Sequence, residues 1–408
     1  MGGILGIVSE YNPFHNGHLM HLNYSKDLTK ADFTIAIMTG NFVQRGDTSL
    51  IDKWTKTEMA LKAGIDLVIE LPTVYATSSA ENFADGAIKI LDSLGIVDYL
   101  SFGSELGELG PIDAVASVLA REPKDLSNLI TRQLKSGLSY PKAREIALNM
   151  YFGTSPIYTE VLQNPNNILG VEYLKAIKRR RSHIKAFTVK RDYSDYNSTT
   201  VKKGIASATA IRTMIQNKKS IHRVVPFETY ELLERQAKQG KLVPSLAVFE
   251  KEIIYTLRKM TLQEIAALPD VSEGLENRIK LAVNNYNDLA SVIEAIKTKR
   301  YTQTRIQRIL LHALLGITQK DINASKRAIP YIRILGFNKH GKRIISAIAK
   351  ENPKLKIIVS VKKFMEACND NTLRNMLSKD IFASNIYTLA YKKDPVANLD
   401  YTNKVIEL

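Results

Sequence analysis

The sequence has 408 residues, of which 45% are hydrophobic and 24% charged, as is ordinary for a soluble globular protein. It contains no run of 18 uncharged apolar residues, so no membrane span is predicted, and its start lacks the basic region of a signal peptide. The one cysteine, Cys368, excludes an internal disulfide and a multi-cysteine zinc site. We therefore expect a cytoplasmic protein of two or three domains.

The formal net charge of +16 is distributed unevenly along the chain. Residues 1–150 hold 13 Lys/Arg against 18 Asp/Glu, whereas residues 171–220 hold 13 against 3 and residues 300–408 hold 20 against 8. An acidic front joined to two basic blocks is typical of a protein that binds a long polyanion. A solvated basic surface would have the same composition, so the charge alone leaves both interpretations open.

In chain order, the first hundred residues alternate apolar runs with segments of helical spacing. This alternation favours βαβ units and a parallel sheet. The predicted strands are residues 3–9, 33–38, 67–71 and 98–102, and the predicted helices are residues 17–28, 53–63 and 81–94.

Further along, the pattern predicts a long helix over 121–150, a helix over 167–178, a strand at 184–189 and a helix within 204–216. From about 225 to 315 it is mainly helical, and strand-like segments return at 331–336 and 356–361. We therefore predict an α/β fold in three parts. These are a parallel-sheet domain over 1–220, a mainly helical domain over 221–320 and a small, basic, mixed α/β domain over 321–408.

Three of the seven histidines follow the first predicted strand closely, at His15, His18 and His21. A helix that begins here lies at the carboxyl edge of a parallel sheet, where nucleotides bind in open α/β folds, and its free N–H groups attract phosphate. Gly17 would let a ligand approach the backbone closely. His15 and His18 share one helical face and are suited to donate hydrogen bonds to an α-phosphate as charge develops during attack.

Two other interpretations of these histidines remain open. A zinc site would need a third ligand, for which Glu10 is a candidate, but the spacing differs from that of the zinc protease helix. The histidines are alternatively structural, and the role of His21 is undecided.

A second segment, at residues 204–212, supports phosphate chemistry. Ser207 and Thr209 provide hydroxyl groups at a predicted helix start, and Arg212 follows one turn later, within reach of a terminal phosphate. Taken alone, Ser or Thr before an apolar run usually only caps a helix. The segment gains weight from its pairing with the histidine segment.

Six segments of the sequence, in order, resemble the bacterial tRNA(Met) cytidine acetate ligase family of the nucleotidylyltransferase superfamily. The segments are EYNPFHNGH (10–18), GNFVQRG (40–46), DLVIELP (66–72), FGSE (102–105), PNNILG (165–170) and TKRYTQTRIQR (298–308). One departure is the ASAT run at 206–209, which has alanine where many superfamily members have a second serine.

The resemblance implies a Rossmann-like nucleotidylyltransferase domain that activates acetate with ATP, accompanied by Mg²⁺, to acetyl-adenylate. The acetyl group would then pass to N4 of the wobble cytidine of elongator tRNA(Met), giving N4-acetylcytidine. His15 and His18 would be catalytic. Together with the hydroxyl-rich segment, the ATP site would comprise Val8, Ser9, Glu10, Tyr11, Asn12, Pro13, Phe14, His15, Asn16, Gly17, His18, Leu19, Met20, His21, Gly103, Asn166, Arg191, Ser207, Thr209 and Arg212.

Two alternative functions are weighed against this one. A nucleotidylyltransferase that makes a small adenylylated cofactor would use the same ATP motifs, but it does not account for the 188 residues beyond position 220 and their basic charge. A non-catalytic RNA-binding protein would be expected to lack the two histidines, and both are present.

The basic segment 297–308 is the candidate tRNA contact. Its cations can bind backbone phosphates and Tyr301 can stack on an unpaired base, whereas a solvated helix face is the alternative. The candidate residues are Lys299, Arg300, Tyr301, Arg305 and Arg308. No metal ligand is predicted in the protein, and the sequence does not indicate the acetate pocket, the proton acceptor or the oligomeric state.

Overall fold

Strands and helices alternate along the first part of the chain in a computed structural model that describes residues 2–153, 155–191, 204–272 and 274–408. The strands are β1 (Ile4–Ser9), β2 (Phe33–Thr39), β3 (Phe42–Val43), β4 (Asp47–Thr48), β5 (Leu67–Leu71), β6 (Tyr99–Ser104), β7 (Lys185–Lys190), β8 (Ile332–Phe337), β9 (Ile357–Ile358) and β10 (Ile406–Glu407).

The helices up to the predicted boundary near residue 220 are α1 (Asn16–Thr29), α2 (Lys53–Lys62), α3 (Thr73–Ala76), α4 (Ala80–Ser93), α5 (Leu109–Arg121), α6 (Lys124–Lys135), α7 (Tyr140–Tyr151), α8 (Pro156–Gln163), α9 (Pro165–Arg180) and α10 (Ala208–Gln216). Those that follow are α11 (Phe227–Lys238), α12 (Glu250–Lys259), α13 (Leu262–Ala266), α14 (Leu275–Asn285), α15 (Leu289–Ile296), α16 (Gln303–Leu315), α17 (Gln319–Arg327), α18 (Lys339–Glu351), α19 (Val361–Ala367), α20 (Asn371–Thr388) and α21 (Leu399–Thr402). No described helix combines the length and apolar composition that crossing a membrane requires.

The central sheet has the strand order β10-β8-β5-β2-β1-β6-β7, with β9 paired to β8. From β5 to β7 all pairings are parallel. Counted along the chain, these five strands have the order 3-2-1-4-5, which reverses direction between β1 and β6. In open α/β sheets, ligands bind at the carboxyl ends of the strands beside such a reversal. The topology therefore places the expected site after β1 and β6.

Both faces of this sheet are buried, as a strand such as β2 shows. Ile35 and Ile37 of β2 pack in one core with α4, α5 and α9, whereas Ala36 and Met38 pack in a second core with α1, α2 and α10. A sheet covered on both faces needs near-continuous apolar strands, and every residue of β2 is buried. The predicted α/β fold is confirmed, and the strands predicted in the first hundred residues agree with the structure to within two residues.

The prediction of one helix over 121–150 is wrong. The chain forms α5, α6 and α7 there, with breaks after Arg121 and Lys135. Pro123 has no N–H group to continue α5 and becomes the N-cap of α6. Gly137, with φ +83°, lies in the turn before α7 and adopts the left-handed conformation that glycine tolerates.

The C-terminal strands join the sheet of the N-terminal region. β8 pairs antiparallel with β5, so that Ile334 lies opposite Ile69, and β10 pairs parallel with β8. Residues on both sides of the predicted boundary near 320 therefore share one sheet. The division into three domains stays a prediction about folding units.

Four buried charged side chains fasten the C-terminal region to this sheet. The Lys53 Nζ lies 2.8 Å from the Glu70 carboxylate and 2.7 Å from that of Asp400. Arg333 pairs with the same two carboxylates. Burial raises the pKa of Asp400, but Lys53 and Arg333 outweigh that effect and hold it at about 2. The two cations and two anions balance, which is the condition under which buried charges are tolerated.

His312 in α16 predicts a pH dependence of stability. Its ring is buried, its Nε2 lies 3.2 Å from the Thr77 hydroxyl, and burial lowers its pKa to about 4. In the unfolded chain this histidine has a pKa near 6.5, so between about pH 6.5 and pH 4 it is protonated there, whereas buried His312 stays neutral. The unfolding free energy should therefore fall as the pH drops from about 6.5 to about 4.

Replacing His312 should weaken this pH dependence. In His312→Gln, the loss of unfolding free energy between pH 7 and pH 5 should be smaller by about 2 kcal/mol than in the unmodified chain. Urea unfolding at both pH values measures it. His183→Gln, at an exposed position, is the control. Identical pH dependence in His312→Gln and the unmodified chain would contradict this account.

Candidate active site

A cleft of about 610 Å³ lies at the carboxyl edge of the sheet, where β1, β6 and β7 end. It brings together most of the residues that were predicted to bind ATP. Those that line it are Val8, Ser9, Glu10, Tyr11, Asn12, His15, Gly17, His18, Met20, His21, Gly103, Asn166, Arg191, Ser207, Thr209 and Arg212.

Four predicted ATP residues, Pro13, Phe14, Asn16 and Leu19, are not among the residues that line this cleft. Phe14 is fully buried in the core beside α1, and Leu19 packs against the same core. The Asn16 amide donates to the backbone oxygens of Gly204 and Arg223, both at 3.0 Å. Asn16 thus fastens α1 to the segment that leads into α10.

The two histidines predicted to be catalytic hold each other in place. His15 is the N-cap of α1, and its Nδ1 accepts the Gly17 N–H at 3.1 Å. The Nδ1 of His18 accepts the His15 N–H at 3.3 Å, and the two rings stack with centroids 3.7 Å apart. Because both Nδ1 atoms are acceptors, each neutral ring carries its proton on Nε2. The pair therefore has two Nε2–H donors for a ligand.

Both rings remain neutral near physiological pH. Burial is the main cause that lowers the pKa of His15 to about 3, and the charges of Arg191 and Arg212 lower it further. Burial and the neighbouring His15 lower the pKa of His18 well below its usual value. Neutral donors next to two arginines suit an anionic ligand such as a phosphate.

The His15 ring packs so close to Gly17 that a side chain at position 17 would collide with it. A Cβ atom at Gly17 would lie 2.9 Å from His15 Cε1 and 3.0 Å from its Nδ1. The sequence suggested that this glycine admits a ligand to the backbone. In the structure, the nearest group to that position is the histidine ring itself.

The hydroxyl-rich segment forms a second wall of the cleft. Ser207 is the N-cap of α10, so the predicted helix within 204–216 begins at Ala208. The Arg212 guanidinium donates to the Asn12 backbone oxygen at 2.9 Å and to the Thr209 hydroxyl at 3.2 Å. This contact joins two predicted segments that lie 200 positions apart in the chain.

Gly103 and Arg191 meet at the ends of β6 and β7. A Cβ atom at Gly103 would lie 3.1 Å from Arg191 Cγ and 3.2 Å from its Cδ. Gly103 therefore leaves room for the arginine side chain. The Arg191 charge contributes to the lowered pKa values of His15, His18 and His21.

Asn166 lies at the start of α9 and is held by Glu105. The Asn166 amide donates to the Glu105 carboxylate at 2.6 Å, and the same carboxylate accepts the backbone N–H groups of Asn166 and Asn167. Glu105 thus accepts hydrogen bonds from backbone N–H groups at the start of α9 that have no partner within the helix. Asn166 remains at the cleft wall.

Two further residues that were predicted to bind ATP, Asn12 and His21, have side chains that contact other segments of the protein. The Asn12 amide donates to the Thr48 backbone oxygen at 3.2 Å and accepts the Leu50 N–H at 2.7 Å. The Nε2 of His21, whose role the sequence left undecided, lies 3.1 Å from the Ser101 hydroxyl. Burial lowers the pKa of His21 to about 4, so its ring is neutral beside the stacked histidine pair.

Sequence reasoning missed several residues of the site. Lys56 is fully buried and donates to the backbone oxygens of Glu10, Thr39 and Gly40 at 2.7–3.0 Å, which ties the ends of β1 and β2 together. Burial lowers its pKa to about 7. Lys56 does not itself line the cleft, whose lining includes these side chains that were given no role in the sequence: Tyr24, Val43, Gln44, Arg45, Asp47, Phe83, Phe102, Leu169, Tyr173 and Lys190. The GNFVQRG segment was the available signal for Val43, Gln44 and Arg45.

The candidate tRNA residues lie outside this cleft. Arg305 donates to the Asp270 backbone oxygen, at 2.9 Å from its Nε, and stacks over Tyr301, 5.1 Å from the ring centroid. Arg308 pairs with the Asp270 carboxylate at 3.0 Å. Lys299 is exposed. Among the residues that the structure describes, no group of three or more His, Cys, Asp or Glu side chains is arranged to hold a metal ion.

The sequence matches known proteins over its whole length. Residues 3–401 match the family model of HIGH nucleotidyl transferases. A tRNA(Met) cytidine acetate ligase from Acetivibrio thermocellus is 41% identical, with 99% of each chain covered. One from Thermoanaerobacter sp. (strain X514) is 48% identical over 100% of both chains. The chain belongs to the tRNA(Met) cytidine acetate ligase family.

Solved structures agree with this membership. The crystal structure of apo Thermotoga maritima TmcAL superposes with a TM-score of 0.94 at 33% identity, covering 100% of this chain and 99% of that one. The same protein bound with alpha-thio ATP gives a TM-score of 0.92. The family, the nucleotidylyltransferase fold and the ligase class inferred from the sequence resemblance are confirmed.

Proposed function

We propose that this chain activates acetate with ATP to acetyl-adenylate and transfers the acetyl group to N4 of the wobble cytidine of elongator tRNA(Met). The observation that carries the proposal is the stacked pair of neutral histidines at the switch point of the sheet, with two Nε2–H donors beside Arg191 and Arg212. Such donors stabilise the charge that develops on an α-phosphate under attack.

The first half-reaction uses the two walls of the cleft. A carboxylate oxygen of acetate attacks the α-phosphorus in line, and pyrophosphate leaves with the electron pair of the broken P–O bond. His15 and His18 donate to the α-phosphate oxygens. The start of α10 and Arg212 hold the departing phosphates, while Gly103, Asn166 and Arg191 form the nucleoside side of the site.

Mg²⁺ would accompany ATP and supply charge neutralisation at the phosphates. The described residues provide no group of three ligating side chains, so phosphate oxygens and water would supply most of its ligands. This arrangement fits the usual behaviour of Mg²⁺, which keeps several waters and binds few side chains.

We propose that the basic segment 297–308 contacts tRNA with the exposed Lys299, since Arg305 and Arg308 are engaged with Asp270. We expect Lys299→Ala to weaken tRNA binding for all sequences alike. It should also reduce the slope of log K against log salt by about 1 if one phosphate contact is lost. Filter binding across a salt series measures the slope. Lys135→Ala, at an exposed site on α6, should leave it unchanged, and an equal slope in both variants would contradict the assignment.

The experiment that tests the function follows both products. Pyrophosphate release is measured with ATP and acetate, with and without tRNA(Met), and the tRNA is then digested for nucleoside analysis. We expect acetate-dependent pyrophosphate release and N4-acetylcytidine. Pyrophosphate release that requires a different small acceptor, with no acetate dependence, would instead favour an enzyme that makes an adenylylated cofactor.

A further inference from the structure

The cleft also has a largely aromatic wall that the ATP proposal does not use. Phe83 of α4 and Leu169 and Tyr173 of α9 line it, together with Phe102 of β6. The rings of Phe102 and Tyr173 lie 5.8 Å apart between centroids. These side chains belong to the face of the sheet opposite to α1 and α10.

Two polar groups accompany this wall. Tyr173 is only 2% exposed, yet its hydroxyl has no hydrogen-bond partner among the described residues. Burial and then the nearby charge of Glu10 raise its pKa well above the usual value, so the hydroxyl stays a protonated donor. Glu10 follows β1 directly, and its carboxylate accepts the Gln44 N–H at 2.8 Å. The wall thus has one hydroxyl donor and one carboxylate acceptor.

This combination matches a pyrimidine that carries an exocyclic amine. Aromatic and aliphatic side chains can stack on the flat ring. A carboxylate accepts a hydrogen bond from the N4 amine of cytosine, and a hydroxyl can donate one to the ring carbonyl. Acetate suits the wall less well because its negative charge would lie next to Glu10. Building on the function proposed above, we propose that this wall binds the target cytosine, turned out of the tRNA stack, and that Glu10 accepts the proton of its N4 amine.

The transfer step balances without any further reactant. The N4 nitrogen attacks the carbonyl carbon of acetyl-adenylate and a C–N bond forms. The bond from that carbon to the bridging oxygen breaks, and AMP leaves with its electron pair. The proton lost from N4 passes to the Glu10 carboxylate. Lys56 holds the Glu10 backbone oxygen at 3.0 Å, which fixes the start of this side chain relative to the histidine segment.

Two half-reactions separate this role from a role in ATP binding. Acetate-dependent pyrophosphate–ATP exchange without tRNA reports adenylate formation, and labelled acetate in tRNA reports transfer. In Glu10→Gln, the ratio of transfer to exchange should fall by at least about 100-fold, the usual contribution of a general base. In Tyr173→Phe the ratio should fall by about 10-fold. Glu108→Gln, at an exposed position outside the cleft, is the matched control and should keep the ratio.

A third variant tests where the cytosine ring binds. Leu169→Phe puts a larger side chain on the wall and so narrows the cleft beside it. The variant should raise the KM for tRNA in the transfer assay more than the KM for acetate in the exchange assay. The proposal would be overturned if Leu169→Phe or Glu10→Gln raised the KM for acetate as much as the KM for tRNA. Equal losses in both half-reactions would overturn it as well. Absence of acetate-dependent exchange in the unmodified chain would instead overturn the function proposed above. Thermal unfolding of each variant identifies loss of folding, and if Glu10→Gln does not fold, Tyr173→Phe still tests whether this wall binds the cytosine.

Discussion

His18→Ala should lower acetate-dependent pyrophosphate–ATP exchange by about 10²–10³-fold, the usual cost of removing one donor to a developing oxyanion. The variant removes an Nε2–H donor from the cleft and also the acceptor of the His15 N–H, which loosens the stacked pair. The loss should appear mainly in kcat, because the donors act on charge that develops during attack.

The exposed His183 provides the control for this variant. His183→Ala should exchange pyrophosphate at the rate of the unmodified chain. If His18→Ala retained that rate as well, the α-phosphate role of the histidine pair would be wrong.

Lys53→Met should lower the unfolding free energy by about 3–5 kcal/mol, because it leaves two buried carboxylates with one partner. Among the cations that the structure describes, Arg333 alone would still pair with Glu70 and Asp400, whose side chains are at most 2% exposed. The cluster joins α2, β5, β8 and α21, so its failure should also loosen the C-terminal region. Urea unfolding measures the loss as a shift in the midpoint.

A second lysine of α2 shows whether the effect depends on burial. Lys62 pairs with Glu58 at 3.6 Å, and its side chain is 37% exposed. Lys62→Met should change the unfolding free energy by less than about 1 kcal/mol, as is usual for surface pairs. Similar losses in both variants would refute the claim that the buried cluster holds the C-terminal region.

The fold was predictable where local pattern determines it. β5 has the predicted bounds because a buried and mostly apolar run ends at Pro72. The break between α5 and α6 was missed although Pro123 marks it. The pairing of β8 with β5 was out of reach, because it joins residues more than 260 positions apart through contacts that no local pattern encodes.

The site was predictable as a list of residues and less so as a set of contacts. His15, His18 and Arg212 lie where the two motifs indicate. The spacing did not reveal that Gly17 accommodates the His15 ring or that Arg305 binds the Asp270 backbone. Tyr173 was overlooked because one tyrosine in a helix has no distinguishing pattern. Its importance comes from a cleft-lining hydroxyl that has no hydrogen-bond partner among the described residues, which only the folded chain shows.

The central claim is that acetate is activated as acetyl-adenylate before transfer, and the fate of acetate oxygen tests it most directly. The reaction is run with ATP, tRNA(Met) and acetate labelled with ¹⁸O on both oxygens, and AMP and the modified nucleoside are analysed by mass spectrometry. The account predicts one ¹⁸O in AMP and one in the acetyl group of N4-acetylcytidine, because the bridging oxygen leaves with AMP. AMP without ¹⁸O, recovered alongside acetylated tRNA, would contradict it.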